Sequence, residues 1–295
     1  MAVVDPAPMI ELTGRARRRR LLRKRFLRRP FAILGLLVAL GFIVGAIFAP
    51  LIAPYSNDYA DFNALLAKPG TEGHRLGTDE LGHDVFSRLV WGSRASIQAG
   101  VFATLLAMLI AVPIGLVAGY YRGWIDPVIA RITDVLLAFP FLILAVALAA
   151  ILGPSLTNAT IALAFAAVPA LIRVTRGETL ALREEDYVRA AIANGASDTT
   201  ILGRHVLPNM TGTLIVQMTV WIPTAIIGES LLSFLGLGVQ PPTPSWGVML
   251  SAAQPFIDQA PRLVIFPGLA IFLATLSFNL LGDGMRDVLD PRTQN

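Results

Sequence analysis

The middle of the chain holds a short charged island between long apolar runs. It begins Tyr187-Val-Arg-Ala-Ala-Ile-Ala-Asn-Gly195 and, after nine more residues, ends His205-Val-Leu-Pro208. The acidic run Glu184-Glu185-Asp186 stands directly before it. A charge costs roughly 2.5–3.5 kcal/mol at the centre of a membrane helix, so charged segments of an apolar chain are expected in water. The island is therefore expected on a membrane surface, between segments that cross the membrane.

Helix signals divide this island into two short helices. Acidic residues in the first turn favour a helix over residues 182–193. Gly195 tolerates the left-handed backbone of a helix stop, and Ser197 can cap a second helix through about Val206. We predict a compact helix–turn–helix. The capping residues and their spacing are equally compatible with an element that docks a partner protein and with a well-capped loop that has no partner.

The runs around the island are long and apolar enough to cross a bilayer. The chain is 55% hydrophobic and 15% charged, with a mean hydropathy of +0.64, whereas a soluble domain is about 25% charged. A membrane helix needs about 20 apolar residues, and the period-2 alternation of barrel strands is missing here. The windows are residues 31–53, 95–121, two within 135–172 joined at 153–158, 209–228 and 263–282. We predict an all-α membrane protein with six transmembrane helices.

The distribution of Lys and Arg predicts that both termini are cytoplasmic. Ten of the 24 basic residues lie in the first 30 residues. Threading six spans from a cytoplasmic N-terminus places Arg122, the charged island and the C-terminal tail on the same side. The basic tail superficially resembles a twin-arginine or cleavable signal, but its apolar run is longer than a signal core and five more spans follow. Contact of this tail with anionic lipid is expected, and nucleic-acid binding is not.

Motifs for catalysis and for nucleotide binding are missing from the chain. It has no cysteine, no His-Glu-x-x-His, no Gly-x-Ser-x-Gly and no phosphate-binding loop. His74, Asp79 and His83 could in principle gather around a metal, or they could have surface and capping roles. We predict no catalytic residue, no metal site and no cofactor, and any ATP hydrolysis is expected on another polypeptide.

Few ionisable residues lie within the apolar runs. Arg131 and Asp134 are spaced i, i+3 at the inner start of the third span, where they can pair. Glu229 lies near the outer end of the fifth span. An ion-coupled carrier is expected to place carboxylates near the midplane. The scarcity of such residues argues against a secondary transporter, which stays the less favoured alternative.

The charged island resembles the "EAA" motif of ABC importer permeases, Glu-Ala-Ala-x3-Gly-x9-Ile-x-Leu-Pro. Arg189 stands where that motif has Glu, and His205 where it has Ile. Both departures are compatible with the peptide-importer branch, whose loops commonly read like residues 204–209. Residues 76–89, 233–247 and 279–292 resemble three further signatures of that branch, with His83 replacing the usual Arg. From about residue 29 to 292 the chain is similar to the dipeptide, oligopeptide and nickel permease family, and within it to the "C" type subunit.

The resemblance implies a type I ABC importer permease fold in a bacterial or archaeal plasma membrane. The expected organisation is a basic cytoplasmic tail (1–30), a first transmembrane helix (31–53), an extracytoplasmic loop (54–94), a five-helix permease core (95–285) with a cytoplasmic coupling loop (174–208), and a cytoplasmic tail (286–295). The extracytoplasmic loop is expected to carry a short amphipathic segment near Val85 that docks a binding protein, acts as a lid, or lies at the interface.

The resemblance also implies partners and a mechanism. A related second permease subunit, two cytoplasmic ATPases and an extracytoplasmic solute-binding protein are expected, with membrane lipid around the spans. The substrate implied is a peptide, and nickel or another small solute is the alternative. A coupling helix would sit in a groove of one ATPase. The residues expected to couple are Asp186, Tyr187, Arg189, Ala190, Ala191, Asn194, Gly195, Ala196, Ser197, His205, Leu207 and Pro208.

Overall fold

The computed structural model describes residues 26–289, and this part of the chain is helical. Between these residues the only bridges of β type are isolated pairs, Thr71 with His74 and Thr78 with Asp84. Most of the predicted basic tail (1–25) and the end of the C-terminal tail (290–295) lie outside the described residues.

Most helices of the described part follow one another through short connections, whereas a long outer loop separates the first two. They are α1 (Pro30–Ile47), α2 (Val85–Tyr121), α3 (Ile125–Leu137), α4 (Phe141–Leu152), α5 (Leu156–Arg183), α6 (Asp186–Ala193), α7 (Leu207–Phe234), α8 (Trp246–Ala253) and α9 (Arg262–Leu289). A helical turn, Ala49–Ile52, extends α1. A short stretch, Asp198–Thr200, and a π-helical turn, Ile201–Val206, lead into α7.

The predicted six spans are present, but the third one is broken. Five helices of the described part are long and apolar enough to cross a membrane, and α3 and α4 make a sixth span only as a pair bent by 87°. At 1.5 Å per residue the 12-residue α4 is about 18 Å long, short of the ~30 Å hydrocarbon core. Pro140 stands at the N-cap of α4, where a proline disfavours continuation of the preceding helix.

The second span begins earlier than the sequence windows indicate. α2 starts at Val85, not at the expected Ala95, and its 37 residues measure about 55 Å. Asp84 caps it by accepting a hydrogen bond from the Ser87 backbone N–H (2.8 Å). The expected separate amphipathic segment is therefore the first turns of this helix. Arg88 is buried there between His83 (3.0 Å) and the Asp79 carboxylate (3.7 Å), whose opposite charge lets an arginine lie inside a packed helix.

Two glycines of α2 bring this helix into close contact with α5. In α2, a Cβ on Gly119 would lie 2.7 Å from the Arg176 carbonyl oxygen and from Thr179 Cβ of α5. Gly115, four residues earlier, meets Thr175 in the same way. Spacing of small residues at i, i+4 allows membrane helices to approach closely. The inner halves of α2 and α5 are thus packed backbone to backbone.

The outer loop is ordered by polar contacts to α9 and within the loop itself. The Arg262 guanidinium donates to the carbonyls of Leu66 (2.8 Å) and Ala67 (2.9 Å). His74 contacts Asp84 at 3.1 Å, whereas His83 contacts Asp79 at 2.9 Å. His74, Asp79 and His83 are therefore divided between two separate pairs. The described residues contain no group of three or more acidic or histidine side chains arranged to hold a metal.

Glu229 is buried between two spans. Its exposed fraction is 0%, and its carboxyl oxygens accept hydrogen bonds from the hydroxyls of Ser96 in α2 and Ser233 in α7, both at 2.6 Å. A buried polar group that loses its hydrogen-bond partner costs free energy, so these contacts favour the packed arrangement. Glu229 therefore ties α2 to α7 at the outer end of the bundle.

Replacing Glu229 with leucine is expected to lower the thermal unfolding midpoint of the detergent-solubilised protein. Ser96 and Ser233 would lose their acceptor, and each unsatisfied buried hydroxyl costs about 1–3 kcal/mol. Glu229→Gln is the control, because its amide oxygen still accepts a hydrogen bond. Equal midpoints for the leucine and glutamine variants would contradict this role.

Candidate functional site

The charged island forms a short helix beyond the inner end of α5. The α6 helix begins at Asp186, because α5 continues through Arg183. The expected helix over 182–193 therefore starts four residues too early. Its end is confirmed: Gly195 has φ = +76°, and the N–H of Ala196 donates to the carbonyl of Ala191 (3.1 Å). This is the Schellman arrangement that stops a helix at a left-handed glycine.

The second short helix differs from the prediction in its cap. Ser197 occupies the N-cap position, but its hydroxyl contacts the hydroxyls of Thr199 (3.2 Å) and Thr200 (2.9 Å) and no backbone N–H. The helix then widens into a π-helical turn and runs without interruption into α7 at Leu207. The turn is thus continuous with the fifth span.

One face of the island is anchored in a small apolar core. Val188, Val206 and Met210 are each 0% exposed, and they pack in one cluster with Leu116 and Tyr120 from the inner end of α2. Burying an aliphatic side chain contributes about 1.5–3 kcal/mol. The island is therefore packed firmly against the transmembrane helices.

Polar contacts add a second anchor at Tyr120. Its hydroxyl donates to Asp198 Oδ1 (2.8 Å), and the Arg183 guanidinium lies 5.4 Å from its ring centre. A cation over an aromatic face is attracted by the ring quadrupole. Tyr120 thus joins the inner end of α2 both to the end of α5 and to the turn after α6.

An exposed ionic chain connects the start of the island to the loop after α2. Glu184 accepts hydrogen bonds from Arg189 (2.6 Å) and from Arg122. The Arg189 and Arg122 guanidinium groups lower the pKa of the Glu184 carboxyl. Exposed ion pairs contribute little to stability, so these contacts of Glu184 orient the island more than they stabilise it.

The ionic chain is expected to persist at neutral pH and to weaken only in acid. Because the pKa of Glu184 is lower in the folded protein, its contribution is complete above the unfolded value of about 4.3 and is lost as pH falls through the folded value. The chain has no cysteine, so spin labels at Trp124→Cys and Asn194→Cys report one distance. The distance distribution should broaden below about pH 4.3.

The variant Glu184→Gln should show that broadening already at pH 7, and Glu185→Gln is the matched control. A narrow distribution for Glu184→Gln at neutral pH would show that the ionic chain does not hold the island in place.

The structure brings the predicted site residues together on one protruding element. Most are exposed, and the rest are partly buried at its base. The rings of Tyr187 and His205 lie 6.5 Å apart, which joins the first helix to the π-helical turn. Exposed are Asp186, Tyr187, Arg189, Ala190, Asn194, Gly195, Ser197 and Pro208; partly buried are Ala191, Ala196, His205 and Leu207.

Sequence reasoning missed the contacts that hold this element. Tyr120 and Arg122 of the α2 end belong to the site, although 62 or more residues separate them from their partners. A Tyr-Tyr-Arg sequence at the end of an apolar run is typical of a membrane interface. This is the sequence signal that could have indicated Tyr120 and Arg122 as residues near the charged island. Asp134 pairs with Arg173 of α5 (2.7 Å), not with Arg131 as expected.

Two family profiles match this sequence. The profile described as the inner membrane component of binding-protein-dependent transport systems matches residues 111–295. The profile described as the N-terminal transmembrane domain of oligopeptide transport permease C matches residues 18–69.

Curated relatives and a solved structure agree with these profiles. The chain is similar to the dipeptide transport system permease protein DppC of Alkalihalophilus pseudofirmus, with 47% identity covering 92% of this chain and 89% of that protein. It is also similar to the glutathione transport system permease protein GsiD of Pectobacterium atrosepticum, with 46% identity covering 92% and 90%. In fold it resembles a chain of the MetNI methionine ABC transporter in inward-facing conformation, with a TM-score of 0.54, 19% identity, and coverage of 68% of this chain and 96% of that chain.

Proposed function

Because the chain belongs to the family of inner-membrane components of binding-protein-dependent transport systems, we propose that its inner helix–turn–helix receives the ATP-driven movement of a separate ATPase subunit. The chain is a multi-pass permease subunit of an ABC importer in the plasma membrane. Under this proposal ATP hydrolysis takes place on the ATPase, and this chain forms half of the translocation path.

The observation that carries the proposal is the two-sided character of α6. The helix is buried through Val188, whereas Tyr187 and Ile192, which lie on either flank of Val188, are 41% and 43% exposed. Large apolar side chains on a short, firmly anchored element are typical of a surface that enters a partner's groove. This arrangement favours the docking interpretation over a loop without a partner.

The contacts of α6 also explain how a displacement of this helix would be transmitted to the transmembrane helices. Tyr120 and Leu116 connect it to α2, Glu184 to the end of α5, and the π-helical turn to α7. Closure of two ATPases on ATP would displace α6, and these anchors would move three spans together. Directional import requires that each ligand prefer one of two such arrangements.

A single-cysteine experiment tests the docking surface. The chain has no cysteine, so Tyr187→Cys places one thiol on α6. In membranes that contain the whole transporter, this variant should form a cross-link to the ATPase subunit. Phe62→Cys, which is 77% exposed in the outer loop, is the control and should give none. A Tyr187→Cys variant that reacts freely with soluble maleimide but never reaches the ATPase would refute the proposal.

For the substrate we propose short peptides. This rests on the names of the relatives, a dipeptide permease and a glutathione permease, whose stated substrates are both short peptides. A second permease, two ATPases and a solute-binding protein that docks near the outer loop complete the proposed assembly. Reconstituted transporter should take up labelled di- or tripeptide in a vanadate-sensitive manner. Uptake that is insensitive to vanadate and is lost when the ion gradient is dissipated would instead show a secondary carrier.

A further inference from the structure

The first span lies close to the core at its inner end and leaves open space beside its outer half. A Cβ on Gly35 would lie 2.6 Å from the Ser277 carbonyl oxygen of α9, whereas Gly41 and Gly45, which line a separate cavity on another side of α1, have no neighbour within 4 Å. Of the candidate spans it has the smallest buried share, 22%. A cavity of about 290 Å³ lies between the outer half of α1 and α2. Its apolar lining is Ile43, Ala46, Ile47, Ile97, Val101 and Phe102.

One charged side chain stands at the edge of this apolar groove. Arg94 lines it together with Gln98. The guanidinium lies 5.5 Å from the ring centre of Trp91. Within residues 26–289, no carboxylate forms an ion pair with it. A guanidinium has five N–H donors and matches phosphate geometry, so the groove offers an anion site beside an apolar channel.

The depth of Arg94 matches the outer membrane interface. The groove residues Ile43 and Ile47 lie in the last turns of α1, which runs outward from the basic tail. Trp91, one turn from Arg94, donates its indole N–H to the carbonyl of Tyr55 at the start of the outer loop (3.1 Å). Trp and Tyr mark the level of the lipid head groups. Arg94 therefore lies at the level of lipid phosphates, and the groove extends from it into the hydrocarbon layer.

We propose that this groove is a binding site for one outer-leaflet phospholipid. Arg94 and Gln98 bind its phosphate, and an acyl chain lies along Ile43, Ile97 and Val101. The lipid fills the space between α1 and α2 and so holds the first span against the core. This site is on the opposite side of the membrane from the basic tail, and the inference does not rest on the coupling role of α6.

Photocross-linking in the whole transporter tests the proposal. Benzoylphenylalanine at Phe102, 59% exposed at the groove, is compared with the same probe at Leu109, which is 73% exposed two turns deeper in α2. After purification in detergent and illumination, mass spectrometry should find a phospholipid adduct at position 102 and much less at 109. Excess inorganic phosphate should leave the adduct in place, because the acyl chain also binds.

Variants of the groove provide the second readout. Arg94→Gln should lower the adduct about fivefold, the equivalent of about 1 kcal/mol for one basic side chain at a lipid surface, and Val101→Trp should lower it by filling the groove. Arg75→Gln, an exposed arginine of the outer loop, should have no effect. Size-exclusion profiles identify any variant that fails to fold.

Three outcomes would overturn the proposal. They are an adduct with a polypeptide of the partner permease, an adduct that phosphate displaces, and an adduct that Arg94→Gln and Val101→Trp both leave unchanged in folded protein.

Discussion

Replacing Gly195 with valine is expected to abolish ATP-driven uptake while the protein still inserts into the membrane. Gly195 has φ = +76°, and a β-branched residue in this region costs about 1–3 kcal/mol. A Cβ there meets no atom of this chain within 4 Å, so the cost comes from the backbone. The Schellman stop would open, and α6 would lose its defined end. Uptake in proteoliposomes should fall at least about tenfold, the equivalent of about 1.4 kcal/mol, while basal ATP hydrolysis continues.

The control for this prediction is Gly195→Asn at the same position. Asparagine enters the left-handed region several times more readily than other side chains, so this variant should keep most of the uptake. A valine variant that transports like the wild type would show that the helix stop has no part in coupling. If the valine and asparagine variants lost uptake equally, the cause would instead be that any side chain at this position occupies space needed by the ATPase.

Replacing Gly119 with leucine is expected to prevent accumulation of folded protein. The new side chain would meet the Arg176 carbonyl oxygen and Thr179 Cβ, both 2.7 Å from an ideal Cβ. Backbone atoms of a packed helix cannot move aside, and overpacking costs about 1–3 kcal/mol or more. α2 and α5 would separate at their inner ends, where Tyr120 and Glu184 anchor α6. The fraction of monodisperse protein in size-exclusion chromatography measures the effect.

Gly177→Leu is the matched control. Gly177 lies in α5, and a Cβ there meets nothing within 4 Å. Because leucine also has a better helix propensity than glycine, by up to about 1 kcal/mol, this variant should be as stable as the wild type or more stable. If both leucine variants behaved alike, the close approach of α2 and α5 would not be what limits folding.

Several features of the site could be predicted because their signals are local. The stop of α6 depends on one residue, Gly195, that must adopt a left-handed backbone. The sequence predicts the junction between the third and fourth spans at residues 153–158, and α4 ends at Leu152 while α5 begins at Leu156. The residues at which helices begin are predicted less accurately from the sequence than those at which they end. Charged residues such as Arg88 break a hydropathy window, although a buried contact lets the helix continue through them.

The amino-acid sequence by itself determined that the protein is helical and spans a membrane and where the charged island lies, and it predicts the orientation of the spans. These follow from local composition, since the bilayer requires long uncharged helices and the basic residues stay inside. Only the tertiary structure decided which distant side chains meet. Tyr120 forms a hydrogen bond with Asp198, 78 residues later in the sequence, and Ser96 with Glu229, 133 residues later. The reason is physical: such contacts depend on how helices pack, and the glycines of α2 set its packing against α5 by allowing the two helices to touch.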